Sequence, residues 1–405
     1  MIFLLLIIFV VLSLFAIKME YKDNSPFIFI WITLLLLISL PLLFLEYNIY
    51  IKIEVMIFCC LSLFFYISTL YLIKSIYRYK GVNFKIKKYP FRDSKKSDKV
   101  IYYYILLLFL IMFVSGLTVD SIMSSRFLDK MKLGNYSLII LFIVASICPY
   151  LIIALKRKKY KLTAAILFSF LVVLLFFRSR AILVLLFLPI GYYSFYWSKK
   201  GKIKILLIGV LGLILSFTIK LIRYQGTLNS GLKKDLIIEG LPDLIDNELK
   251  NGNGDLFVGH VFFDMVRDVH QGEPYWFGNF SIIKKMLYIL IPYDNEKTQT
   301  IDYQLFDYYI VPGVGGSLHP TGFGVAYGDF GGWVGLVVFV FLAFFRIIVH
   351  SIILKLNDPK LIGFVMFFVL FFARGSVYNA TVLLVSSILF FTLTSLFYKK
   401  KQITN

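Results

Sequence analysis

The chain has 405 residues, 59% of them hydrophobic, a mean hydropathy of +0.82 and a net charge of +20. A soluble domain of this size does not carry that composition, and an outer-membrane barrel is excluded because its strands alternate apolar and polar residues. The cysteines, Cys59, Cys60 and Cys148, fall inside apolar runs and offer neither a metal spacing nor a disulfide framework, so they read as small packing residues.

Apolar runs recur at approximately 2–17, 27–45, 55–73, 101–120, 137–155, 162–177, 181–197, 203–221, 331–350, 361–373 and 379–398. A crossing of about 30 Å of hydrocarbon takes roughly 20 such residues. The fold expected is an all-α polytopic membrane protein of about 11 transmembrane helices. Residues 1–221 hold about eight spans, 222–327 form one large external loop with amphipathic helices, and 328–405 hold about three more. The first run lacks a basic flank and an A-x-A-like cleavage site, so it reads as a retained helix rather than a signal peptide.

Loop charge orients these spans. Counting Lys and Arg against Asp and Glu, segment 74–100 carries +8, 156–161 +5, 199–204 +4, 346–360 +2 and the tail 399–405 +3. The alternate connections 46–54, 120–136 and 222–327 carry −1, +1 and −5. Short cytoplasmic loops collect Lys and Arg. The N-terminus is therefore expected outside and the C-terminus in the cytoplasm. Most of the basic excess states orientation rather than a nucleic-acid partner.

The stretch Arg178-Ser179-Arg180 breaks a long apolar run between two basic clusters. Both clusters belong in the cytoplasm, which requires two crossings with an external turn at the arginines. Arg223, after the eighth run, and Arg374, in the connection 374–378, fall on the same external side. Such arginines either snorkel to lipid phosphates or share an anion site, where the guanidinium fork binds phosphate bidentately.

In the external segment, Leu256 to Val269 has helical periodicity, with His260, Asp264 and Arg267/Asp268 on one face. Ser281 to Ile291 is a second amphipathic run, carries Lys284 and Lys285, and stops at Pro292. The aromatic and turn residues around Tyr275-Trp276-Phe277 suit sugar rings and the membrane interface equally well. The glycine-dense stretch Ser317 to Gly335 leads into the ninth run and contains His319, Tyr327 and Asp329. His319 reads either as an acid–base group or as a turn residue beside Pro320; the glycines read either as site-building or as close helix packing. The chain has no G-x-x-x-x-G-K-[ST] loop, no H-E-x-x-H and no G-x-S-x-G, and no cofactor or metal is expected. Charge within the spans reads as nearly absent, which argues against an ion-coupled transporter.

These features resemble the Wzy-type oligosaccharide repeat-unit polymerases of O-antigen, lipopolysaccharide and capsule synthesis. The likeness is carried by Arg178-Ser179-Arg180 and by Arg223-Tyr224-Gln225-Gly226. It extends to Gly272–Lys297, where Tyr293 follows Ile291-Pro292 in place of the family's arginine. The last stretch is Thr321–Gly335, with Tyr327, Asp329, Phe330 and Gly331. O-antigen ligases share the theme, but eleven residues separate His319 from Gly331 where the ligase motif has ten. The resemblance implies a GT-C-like, metal-independent glycosyltransferase of the cytoplasmic (inner) membrane. It would join undecaprenyl-diphosphate-linked repeat units at the outer face, with a chain-length regulator and a flippase of the same pathway as further partners. On that reading Arg178, Arg180, Arg223 and Arg374 bind the diphosphate, Arg180 also serving catalysis. His319 or Asp329 activates the acceptor hydroxyl, His260 and Asp264 are a second candidate pair, and Tyr327 contacts substrate. A ligase-type transferase and a lipid-linked oligosaccharide flippase or transporter are the competing readings.

Overall fold

The computed structural model describes residues 1–79, 86, 95–115, 136–177, 180–197, 258–272, 274–290, 299–310, 317–356 and 359–403. The regular elements among them are all helical. They are α1 (Ile2–Lys22), α2 (Ile28–Phe44), α3 (Ile49–Tyr79), α4 (Lys95–Val114), α5 (Tyr136–Lys156), α6 (Tyr160–Phe177) and α7 (Arg180–Trp197). The polar segment adds α8 (His260–Gln271), α9 (Ser281–Leu290), α10 (Ile301–Tyr309) and α11 (Thr321–Phe330). A 3₁₀ turn (Gly332–Leu336) leads into α12 (Val337–Leu356), α13 (Pro359–Arg374) and α14 (Val377–Ile403). Helices occupy every expected apolar run except 203–221, which lies outside the described residues.

Three helical stretches among the described residues are long and apolar enough to cross a membrane: Ile2–Lys22, Ile49–Tyr77 and Gly332–Leu356. Shorter apolar helices cover Ile28–Phe44, Ile139–Leu155, Tyr160–Leu174 and Val377–Thr392. The chain is thus a helical membrane protein. Many large apolar side chains are left uncovered along α1 and α12, Phe3, Val11, Phe341 and Ile348 among them, as lipid-facing surfaces are.

The chain divides into two compact units. Residues 1–86, 247–355 and 368–385 form the first; 87–246, 356–367 and 386–405 form the second. In the first, α1 packs along α2 and α3. An aromatic ladder runs from Phe9 of α1 to Phe323 of α11, then to Phe339 of α12 and Phe372 of α13, with centroids 6.3, 5.2 and 6.5 Å apart. Edge and tilted ring pairs of this kind each add about 0.5–1.5 kcal/mol beyond area burial. Helix α3 sets the scale of the unit. Glu54, near its start, binds residues of α8 and α11, while Lys74, near its end, binds Asp23 after α1. At 1.5 Å per residue these anchors stand about 30 Å apart, the thickness of a hydrocarbon layer.

At the Lys74 end lies a buried charge network that corrects the sequence reading. Arg346 is counted there among the basic loop residues 346–360, yet it lies inside α12 and is fully buried. Its Nε donates to both oxygens of buried Glu20, at 3.1 and 3.0 Å, and Nη2 donates to Asp23 at 2.5 Å. Lys74 neutralises Asp23 at 2.5 Å, and the Tyr66 hydroxyl donates to Glu20 at 2.6 Å. Two cations thus meet two anions. Charge inside the helices is present, but closed on itself. Loop-charge counting scores one cation at a time and cannot see the carboxylate that α1 brings to Arg346.

In the second unit α5, α6 and α7 pack on one another, with α4 against α5 and α6. Helix α6 ends at Phe177 and α7 starts at Arg180, so the long apolar run is two helices, as the loop charges require. Gly363 of α13 packs so tightly on the Ala145 carbonyl and Pro149 of α5 that a side chain there has no room. The Phe142, Phe364 and Phe391 rings close the same contact.

Candidate functional site

The polar segment has its own small core. Val261 and Met265 of α8, Trp276, Ile282 of α9, Ile301 and Leu305 of α10 and Val325 of α11 bury one another. Each fully buried apolar side chain of this kind contributes about 1.5–3 kcal/mol, enough to hold helices of 9 to 12 residues that would not persist alone. Trp276 is a core residue, so it serves neither of the two roles proposed for the aromatic stretch. Tyr275 remains exposed, with its hydroxyl donating to the Gln304 carbonyl.

The glycine-dense stretch is a helix, a reversal and a second helix rather than one continuous entry to a span. Gly331, at φ +78°, and Gly332, at φ +64°, take the left-handed backbone that the reversal needs. Gly335 then lies directly on the Ala326 carbonyl, where a Cβ would collide.

Asp329, expected as an acceptor-activating group, is fully buried and engaged elsewhere. Its Oδ1 accepts from the Ser281 N–H at 2.7 Å and the Ser281 hydroxyl at 2.5 Å, and its Oδ2 accepts from the Ile282 N–H at 3.1 Å. The carboxylate caps the N-terminus of α9, satisfying donors that a helix start leaves open. Burial raises its carboxyl above the usual carboxylate range, against the pull of Ser281 and the helix N–H groups.

His319 sits differently. The Leu318 N–H donates to the Asp302 carbonyl at 2.8 Å and pins its segment to the start of α10. Its Nδ1 lies 3.8 Å from Asp302 Oδ2 and its Nε2 lies 3.4 Å from the Ser317 hydroxyl. On the other side, Pro320 and Thr321 press against the end of α13. A Cβ at Gly375, where φ is +102°, would stand 2.7 Å from the Thr321 nitrogen and 3.0 Å from Pro320 Cδ. That close approach brings the Arg374 charge to the imidazole. Burial first, and then Arg374, pushes His319 down to about 3, so the ring is neutral near pH 7. Burial also raises the Asp302 carboxyl, opposed by the Thr300 hydroxyl, local N–H groups and the Lys285 charge. The Lys285 ammonium lies 5.1 Å from the Tyr378 ring and 6.0 Å from the Tyr303 ring. The cluster is therefore a neutral imidazole and a carboxyl group, with the Arg374 charge acting on the first and the Lys285 charge on the second.

A second polar cluster follows the expected face of α8. Asp264 accepts from Arg267 at 2.8 Å, from the Tyr47 hydroxyl at 3.4 Å, and lies 3.9 Å from His260. Asp268 accepts from Arg267 Nε at 2.9 Å and from the Tyr309 hydroxyl at 2.8 Å. Beside them Glu54 of α3 accepts from Tyr327 at 2.7 Å and pairs with His270 at 2.6 Å. Tyr327 and His270 thus tie α11 and α8 to Glu54 of α3, while Asp264 and the His260 carbonyl are held by Tyr47, just before α3.

Of the expected site residues, the fold brings together His319 and Arg374. Asp329, Tyr327, His260 and Asp264 are held in other contacts. Arg180 heads α7 in the second unit, while Arg178 and Arg223 lie outside the described residues, as does the Ile291–Lys297 part of the likeness. Asp302 and Lys285 were not picked out as site residues. A weak signal existed for Asp302: Thr300-Ile301-Asp302 places an acid in the first turn of a helix after a capping residue type. Among the described residues no group of three or more His, Cys, Asp or Glu side chains is set to hold a metal ion.

No protein-family model matches the chain, and no curated protein or solved structure does so either. The likeness to the Wzy-type polymerases therefore rests on the sequence motifs.

Proposed function

We propose that the chain is a glycosyltransferase acting on lipid-diphosphate-linked oligosaccharides, a repeat-unit polymerase of the Wzy type. On this reading it has a GT-C-like architecture of about eleven spans in the cytoplasmic membrane. The N-terminus and the polar segment lie outside and the C-terminus in the cytoplasm. The observation that carries the reading is the meeting of His319, Asp302 and Arg374 where the start of α10, the segment before α11 and the end of α13 come together.

The chemistry asks for a base at the acceptor and cations at the leaving group. Asp302 beside Nδ1 favours the tautomer with the proton there, which leaves Nε2 as the acceptor for a proton. The acceptor sugar hydroxyl gives its proton to His319 Nε2 as its oxygen bonds to the anomeric carbon of the donor. The bond from that carbon to the diphosphate oxygen breaks, and its electron pair leaves on the lipid diphosphate. Arg374 and Lys285 stabilise the charge that gathers on that oxygen. Asp302 stabilises the imidazolium formed in the step. The 3.8 Å separation is loose for a hydrogen bond, and such contacts tighten when substrate closes the site.

The test is polymer length in cells. His319→Ala and Arg374→Ala should each leave single-unit products with normal protein levels; full-length polymer in both variants removes the assignment. Loss of attachment to a terminal acceptor, with the length ladder intact, would indicate a ligase instead.

A further inference from the structure

The second unit contains a cavity of about 490 Å³ lined by Asp98, Tyr102, Lys158, Lys159, Tyr160 and Lys161. It lies where α5 hands over to α6, across from the start of α4. The handover is tight and well tied. The Lys158 and Lys159 N–H groups donate back to the Leu155 and Ala154 carbonyls, at 3.2 and 3.0 Å, and Thr163 N–H already donates to Lys159 at 3.0 Å. Lys158 takes φ +55°, a backbone that residues other than glycine rarely adopt.

Charge in this cavity is unbalanced. Asp98 supplies the carboxylate of the lining, and it is occupied by Lys159 and by Arg157, the latter at 3.9 Å. Lys158 and Lys161 have no ion-pair partner among the described residues. Tyr102 and Tyr160 flank them with exposed rings, 45% and 70% accessible. Lysines with amphipathic rings at the end of apolar helices stand at headgroup depth, where a partly buried basic pocket takes an anionic head while the acyl chains stay on the helices.

We propose that this cavity binds a phosphate-bearing anion, the headgroup of an anionic phospholipid, through Lys158 and Lys161. Neither residue belongs to the His319 cluster, so the assignment is independent of the glycosyltransferase reading. On the loop-charge orientation the lipid comes from the cytoplasmic leaflet.

The experiment uses the full-length chain, purified and delipidated, titrated with phosphatidylglycerol or phosphatidylcholine and followed by native mass spectrometry. Phosphatidylglycerol should be retained in preference to phosphatidylcholine. The double variant Lys158→Ala/Lys161→Ala should bind it about 30-fold more weakly, on a lipid attraction typical of two lysines. Lys158→Arg/Lys161→Arg should restore binding. Lys18→Ala/Lys22→Ala, an equal loss of charge at α1, should bind like the wild type. Unchanged elution and helix content in every variant separate binding from folding. Equal retention in the Lys158/Lys161 alanine variant, or equal loss in the Lys18/Lys22 variant, overturns the site. Displacement of the lipid by excess inorganic phosphate overturns the lipid source and assigns the cavity to soluble phosphate.

Discussion

Two charge clusters of the first unit answer the same physical problem in opposite ways. At the Lys74 end of α3, Arg346, Glu20, Asp23 and Lys74 close on one another with contacts of 2.5 to 3.1 Å. In the polar segment His319 stands 3.8 Å from Asp302, with the charges of Arg374 and Lys285 acting on the pair. The first cluster pairs each of its charges internally, so it fastens α1, α3 and α12. The second keeps an imidazole neutral and its charges loosely paired, which leaves them available to a substrate. A buried charge is therefore informative only through its partners. The transporter reading asks for charge at the helix centre that can exchange with a cavity; among the described residues the buried charges of α12 are committed instead.

The contrast can be broken most forcefully at Arg346. Arg346→Met should cost about 3–5 kcal/mol by stranding Glu20, and thermal unfolding should show it. Adding Glu20→Gln should recover most of that loss, since an uncharged pair of similar volume has no stranded ion. At the opposite cluster the same kind of truncation should spare the fold. His319→Ala should lower the polymerisation rate about 10²- to 10⁴-fold, the range for a lost general base, with an unchanged unfolding midpoint.

Asp329 separates a cap from a catalyst. Asp329→Ala should cost about 1–3 kcal/mol, from the lost cap and the donors left buried. Under conditions where the variant stays folded, its rate should stay close to that of the wild type. A loss of rate as deep as that of His319→Ala would return Asp329 to the reaction.

A further effect is expected in pH. His319 is held near 3 in the fold, against about 6.5 in the unfolded chain. Between those values the unfolded chain binds the extra proton, so stability rises with pH across that window and is diminished on acidification. His319→Gln should flatten the unfolding midpoint against pH between about 6.5 and 4. An unchanged slope would mean that the imidazole is not held neutral.

Much of this was legible in the sequence. The helices follow from apolar runs, because hydropathy is a local property, and the reading of 162–197 as two helices, α6 and α7, follows from loop charge. His319 and Arg374 could be singled out as residues needing a reason. Their meeting could not, because it depends on Gly375 accepting a close approach by Pro320 and Thr321. Arg346 was misread as a loop charge for the same cause: it and Glu20 are each costly alone and tolerable together, and only the fold pairs them. Asp329 carries a family motif position, yet its buried carboxylate serves the start of α9.

The most direct measurement is elongation by the purified full-length chain, supplied with lipid-diphosphate-linked repeat units and no nucleotide. The wild type should lengthen the glycan, and His319→Ala and Arg374→Ala should not, at equal unfolding midpoints. Lengthening by both variants at the wild-type rate would contradict the assignment.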